Sequence, residues 1–125
     1  MAKVLLVDDS NFSRRVLRRI IEPAGHDIRE AEDGLSALEQ YALDRPDLVL
    51  LDMNMAGMNG LDVLLKLREL DPGAVVVIAT ADIQNSTRLL SRDGGARGFI
   101  SKPFVAENVL ATLEAILAGG GNASF

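Results

Sequence analysis

Val4-Leu5-Leu6-Val7-Asp8-Asp9 opens the chain with four consecutive apolar residues and then stops on two carboxylates. An uninterrupted apolar run this short suits a strand buried on both faces, and such strands belong to parallel sheets sandwiched between helices. Two further runs repeat the pattern, Leu48-Val49-Leu50-Leu51 ending at Asp52 and Val75-Val76-Val77-Ile78-Ala79 ending at Thr80. Ile28 and Phe99-Ile100 mark two weaker strands, the second leading to Lys102.

Between these runs the apolar residues fall at helical spacing. Phe12, Val16 and Ile20, with Leu17 and Ile21, form one stripe, and Arg14, Arg15, Arg18 and Arg19 are expected to face away from it. Pro23 and Gly25 end that helix. Leu35, Leu38, Tyr41 and Ala42 mark a second helix; Leu61, Leu64, Leu65 and Leu67 a third; Leu89 and Leu90 a fourth; Val109, Leu110, Leu113, Ile116 and Leu117 a fifth. Five strands, each followed by a helix after a short connection, imply an α/β fold: a doubly wound (βα)5 unit whose right-handed crossovers cover a five-stranded parallel sheet on both faces. A length of 125 residues holds one such domain, here residues 1–118. Residues 119–125, rich in glycine, read as a flexible tail, and any output domain is expected on another chain.

Composition narrows the chemistry. Eighteen acidic against thirteen basic side chains leave a net charge of −5, which argues against direct nucleic-acid binding over the whole surface. With no cysteine and a single histidine, His26, neither a thiolate metal site nor a histidine cluster can form. The longest apolar run, Ala74 to Ala79, is far below the ~20 residues that insert into a membrane, and the opening run is too short for a signal peptide. A cytoplasmic location is expected.

Open parallel sheets bind ligands beyond the carboxyl ends of their strands. Asp8, Asp9, Asp52, Thr80 and Lys102 all stand at such ends, from four separate segments. Singly each has an ordinary role: Asp9 or Ser10 as a helix cap, Asp52 as a solvated strand end, Thr80 as a strand former, Lys102 before a turn at Pro103. Ordinary roles do not explain their convergence on one edge. Three carboxylates and one ammonium sum formally to −2, a balance that calls for a divalent cation. All-oxygen ligation with room for water and phosphate oxygens favours Mg²⁺, or Mn²⁺, over Zn²⁺ or Ca²⁺.

Taken together, Val4 to Ser10, Asp47 to Met55 with Met58-Asn59-Gly60, and Gly95 to Phe104 resemble the receiver domain of two-component response regulators, in its single-domain, chemotaxis-regulator form. The resemblance runs from Lys3 to about Ala118. It implies a flavodoxin-like strand order of 2-1-3-4-5, with Asp52 as phosphoacceptor toward the phosphohistidine of a sensor histidine kinase or phosphotransfer protein. It also implies a Mg²⁺ pocket of Asp8, Asp9, Asp52 and the Asn54 backbone carbonyl, with Lys102 on a phosphoryl oxygen and a cis peptide between Lys102 and Pro103. Thr80 and Phe99 would then form the switch that alters the surface of the fourth helix, fifth strand and fifth helix for an output protein. Asn54 and Asp82 occupy the positions that tune hydrolysis, where two small polar side chains predict short-lived phosphorylation; a phosphatase is a further expected partner. The chain would be a phosphoacceptor and not an enzyme acting on other substrates.

Two positions depart from the family pattern. Ala56 stands where proline is common, four residues after Asp52, and Gly94-Gly95 replaces the usual Ala-Gly. Other classes fit less well. A small Mg²⁺-dependent aspartyl-phosphate phosphohydrolase of the haloacid-dehalogenase type would carry Asp-x-Asp on its first strand and usually a cap domain. A flavin carrier would want a Ser/Thr/Gly-rich phosphate loop where Asp8-Asp9 stands. A phosphorylation-independent scaffold is the remaining alternative.

Overall fold

The computed structural model describes residues 1–119. Most of the expected tail therefore lies outside the described residues. Five strands, β1 (Lys3–Val7), β2 (Asp27–Ala31), β3 (Leu48–Leu51), β4 (Val76–Thr80) and β5 (Gly98–Ser101), alternate with five helices. These are α1 (Asn11–Ile21), α2 (Gly34–Leu43), α3 (Gly60–Leu70), α4 (Asn85–Asp93) and α5 (Ala106–Leu117). All strand pairs are parallel, in the order β2-β1-β3-β4-β5. The α/β class and the strand order are as expected.

Alternation along each strand divides the core in two. Leu5, Val7, Val49, Leu51, Val76, Ile78 and Phe99 pack on one face with Ala37, Tyr41, Val63, Leu64 and Leu67, from α2 and α3. Val4, Leu6, Leu48, Leu50, Val77 and Ile100 pack on the other with Leu17, Ile21, Val109, Leu113 and Ile116, from α1 and α5. The central strands are buried on both faces, and the continuous apolar runs follow from that burial.

Helix boundaries follow local chemistry. Ser10 is the N-cap of α1 and accepts a hydrogen bond from the Ser13 N–H at 3.1 Å. Asp33 and Asn59 cap α2 and α3 in the same way. Pro23 sits in a 3-10 turn, Glu22–Ala24, closed by Gly25 at a φ of +97°.

Four helical faces depart from the apolar stripes. In α1 the buried positions are 14, 17 and 21, so Arg14 points inward at 7% exposure while Phe12 stands 71% exposed. The inward arginine is tolerated because every side of its guanidinium meets an acceptor, described below. In α4 the buried residue is Ser91, whereas Leu89 and Leu90 are 48% and 52% exposed. Ser91 fits there because its hydroxyl returns to the Thr87 carbonyl at 2.7 Å. Leu35 of α2 and Leu65 of α3 also face solvent, and the inward positions of those helices are Gly34, Ala37 and Tyr41 in α2 and Gly60, Val63, Leu64 and Leu67 in α3. Among the described residues no helix is long and apolar enough to cross a membrane.

Candidate functional site

The carboxyl edge of the sheet assembles the site from backbone outward. β3 lies between β1 and β4, and the Asp52 N–H donates to the Val7 carbonyl at 2.9 Å, so Asp52 leaves the sheet beside Asp8. The Lys102 N–H donates to the Thr80 carbonyl at 2.9 Å, which keeps the ends of β4 and β5 level. α3 begins almost on top of the phosphoacceptor candidate. A Cβ on Gly60 would lie 2.5 Å from Met53 Cα and closer still to the Asp52 carbonyl oxygen, so only glycine permits this approach.

Oxygen atoms from Asp8, Asp9 and Asp52 lie within 4.8 Å of one another. Asp8 and Asp52 are buried, Asp9 is exposed, and Thr80 is fully buried beside them. The Lys102 ammonium stands 2.8 Å from Asp8 Oδ2 and 3.2 Å from Asp52 Oδ2. Asp52 Oδ1 accepts from the Asn54 N–H at 3.2 Å, and Asp8 Oδ1 from the Ser10 N–H at 2.9 Å. The peptide between Lys102 and Pro103 is cis.

Burial is the largest influence on Asp8 and lifts its carboxyl above the ordinary value of 3.8; the Lys102 and Ser10 contacts oppose it, and the Asp52 charge adds to it. Burial alone would lower the Lys102 ammonium, but Asp8 and Asp52 outweigh it and hold that group above its usual 10.5. One lysine thus answers two buried carboxylates. Asp8 Oδ2 is buried, and among the described residues its partner is the Lys102 ammonium alone. An all-oxygen cluster of three carboxylates, whose negative charge exceeds what the single Lys102 ammonium offsets, fits a hard divalent cation. Asp8, Asp9 and Asp52 are the side chains that could hold it.

Thr80 Oγ1 accepts from the Asp82 N–H at 3.3 Å. The Asp82 carboxylate is engaged at the start of α4, by the Gln84 N–H at 3.2 Å and the Thr87 hydroxyl at 2.8 Å. Phe99 is 3% exposed, with the Arg88 guanidinium 4.6 Å from its ring centre.

Several contacts at this edge have no counterpart among the sequence expectations. Arg14 donates to the Asp8 main-chain carbonyl and to Asn11 Oδ1, and its Nε meets Glu30 Oε1 at 2.9 Å. The i, i+3, i+7 relation of Arg14 to Leu17 and Ile21 carried that signal, masked by the charge of arginine. The Ala56 N–H donates to Asp9 Oδ2 at 3.2 Å, a bond that the proline common at this position would lack.

Comparison with known proteins agrees with this geometry. The chain is 38% identical over 115 residues to the chemotaxis protein CheY of Listeria monocytogenes, covering 91% of this chain and 97% of that one. In structure it resembles a two-component response regulator of the LuxR family from Aurantimonas, with a TM-score of 0.93 and 31% identity over 99% of this chain and 90% of the other. Vibrio cholerae chemotaxis protein CheY4 superposes with a TM-score of 0.88 at 30% identity, over 93% and 98% of the two chains. Residues 4–114 match the response regulator receiver domain, and the chain belongs to that family of two-component signalling domains.

Proposed function

We propose that this domain is a phosphorylation-controlled switch in which Asp52 is the phosphoacceptor. The observation that carries the reading is the placement of Lys102 between Asp8 and Asp52, beside buried Thr80, at the sheet edge where ligands bind. An Asp52 carboxylate oxygen attacks the phosphorus of a phosphohistidine on a sensor kinase or phosphotransfer protein. The new P–O bond forms as the P–N bond breaks, with the electron pair returning to the imidazole. Asp8, Asp9, Asp52 and the Asn54 carbonyl would hold Mg²⁺ or Mn²⁺, which when bound supplies positive charge against the phosphoryl oxygens. Lys102 binds a further phosphoryl oxygen as a point charge.

The product carries more negative charge and new acceptor oxygens than the carboxylate it replaces. Thr80 donates its hydroxyl to one of those oxygens. Its link to Asp82 passes the change to the start of α4, and Phe99 and Arg88 respond on the surface of α4, β5 and α5 where an output protein binds. Asn54 and Asp82 flank the route of hydrolytic water, and a phosphatase would complete the cycle in the cytoplasm.

Incubation with acetyl phosphate and Mg²⁺ followed by intact mass measurement tests the reading. One phosphoryl group is expected on the parent and none on Asp52→Asn or without divalent metal. An adduct that survives Asp52→Asn overturns the assignment.

A further inference from the structure

We infer that Arg14 is a positioning residue for the divalent-cation pocket, holding the Asp8 main chain so that its carboxylate faces Lys102 and Asp52. The inference rests on the reading of the pocket proposed above. A buried arginine is an expensive way to fill a helix face whose other inward residues are Leu17 and Ile21; an aliphatic side chain would pack there without desolvating a charge. What arginine adds is a fork with several fixed donors. One nitrogen reaches the Asp8 carbonyl, a second Asn11 Oδ1, and the third Glu30 Oε1.

Asp8 is thereby held at every polar group but one. Its N–H donates to the Ala31 carbonyl at 3.2 Å, its carbonyl accepts from Arg14, and its Oδ1 accepts from the Ser10 N–H. Only Oδ2 is left for the pocket. Glu30, on edge strand β2, anchors the far end of the fork, and the Arg18 Nε binds its other oxygen at 2.9 Å. Arg18 shares Glu30 but has no bond to Asp8. This difference separates positioning from general stabilisation.

The full chain and its Arg14→Met, Arg14→Lys and Arg18→Met variants are titrated with Mg²⁺ by calorimetry and with Mn²⁺ by electron paramagnetic resonance, alongside thermal melts. Residues that orient ligands through a second contact typically change metal affinity 10–100-fold. Arg14→Met is expected to bind about tenfold more weakly, and Arg14→Lys, which keeps the charge and loses the fork, by an intermediate factor. Arg18→Met should stay within about twofold of the parent even where its melting temperature falls as far. At saturating Mg²⁺ the rate of phosphorylation of Arg14→Lys by acetyl phosphate should return to that of the parent. Equal affinities for Arg14→Met and Arg18→Met overturn the inference. If Arg14→Met does not fold, Arg14→Lys with parental affinity does the same. A parent that binds neither ion removes the pocket reading and the inference with it.

Discussion

Glu30 shows how one residue on an edge strand sets a pH dependence. Burial pushes its carboxyl up, but the guanidinium groups of Arg18 and Arg14 outweigh this and hold it below the ordinary 4.5. A carboxyl lowered on folding stabilises the native state above its unfolded value, and that contribution is lost as pH falls through the lowered folded value. Partial exposure screens the pairs, so about 1 kcal/mol is a reasonable scale at neutral pH. Glu30→Gln should therefore melt earlier than the parent at pH 7, with the gap closing below about pH 4.5 as Glu30 is protonated. Chemical denaturation across pH 3–7 measures this, and a gap independent of pH would place the effect in packing alone.

At the scale of elements, α4 is held differently from its neighbours. α1 and α5 bury leucine, isoleucine and valine against the sheet, whereas α4 buries only Ser91 and turns Leu89 and Leu90 to solvent. No side chain of its own N-cap, Gln84, closes its first turn. That work falls to Asp82, through the Gln84 N–H and the Thr87 hydroxyl. Losing a helix cap costs about 1 kcal/mol, which is about fivefold in a local opening equilibrium. Hydrogen exchange should report that Asp82→Ala speeds the amides of residues 85–93 by about this factor while α1 and α5 are unaffected. An element so lightly packed is suited to move, and its N-terminus is tied through the Asp82 N–H to Thr80 at the pocket. Unchanged protection of α4 would deny Asp82 that role.

For the whole molecule, the pocket joins the ends of three strands, so occupation and global stability are linked. The Lys102 ammonium of the β5 end draws in the carboxylates at the ends of β1 and β3, while Asp8 and Asp52 repel each other when both are ionised. A cation that binds only the native state adds stability as RT ln(1 + [L]/Kd), about 2.7 kcal/mol at one hundred times Kd. Mg²⁺ should therefore raise the melting temperature of the parent by several degrees and leave Asp8→Asn nearly unmoved. Equal shifts in the two proteins would show general salt effects instead.

Much of this is legible in the chain itself. Runs such as Val4–Val7 and Leu48–Leu51 can be continuous only where both faces are covered, so the sequence by itself determined a parallel sheet between helices, and the motifs at its strand ends marked Asp8, Asp9, Asp52, Thr80 and Lys102. Strand order came from family resemblance, because periodicity says which residues are buried and not which strand lies next to which. Tertiary structure alone decided where polar side chains point. Arg14 looked like a solvent-facing charge, since hydropathy cannot register three acceptors supplied by Asp8, Asn11 and Glu30, residues far apart in character and partly in sequence. Leu89 and Leu90 looked like core, since a nine-residue helix offers too short a pattern to tell its inward from its outward face. The physical reason is common to both. Apolar burial leaves a periodic trace along the chain, whereas hydrogen bonding between distant groups leaves none until the fold brings donor and acceptor together.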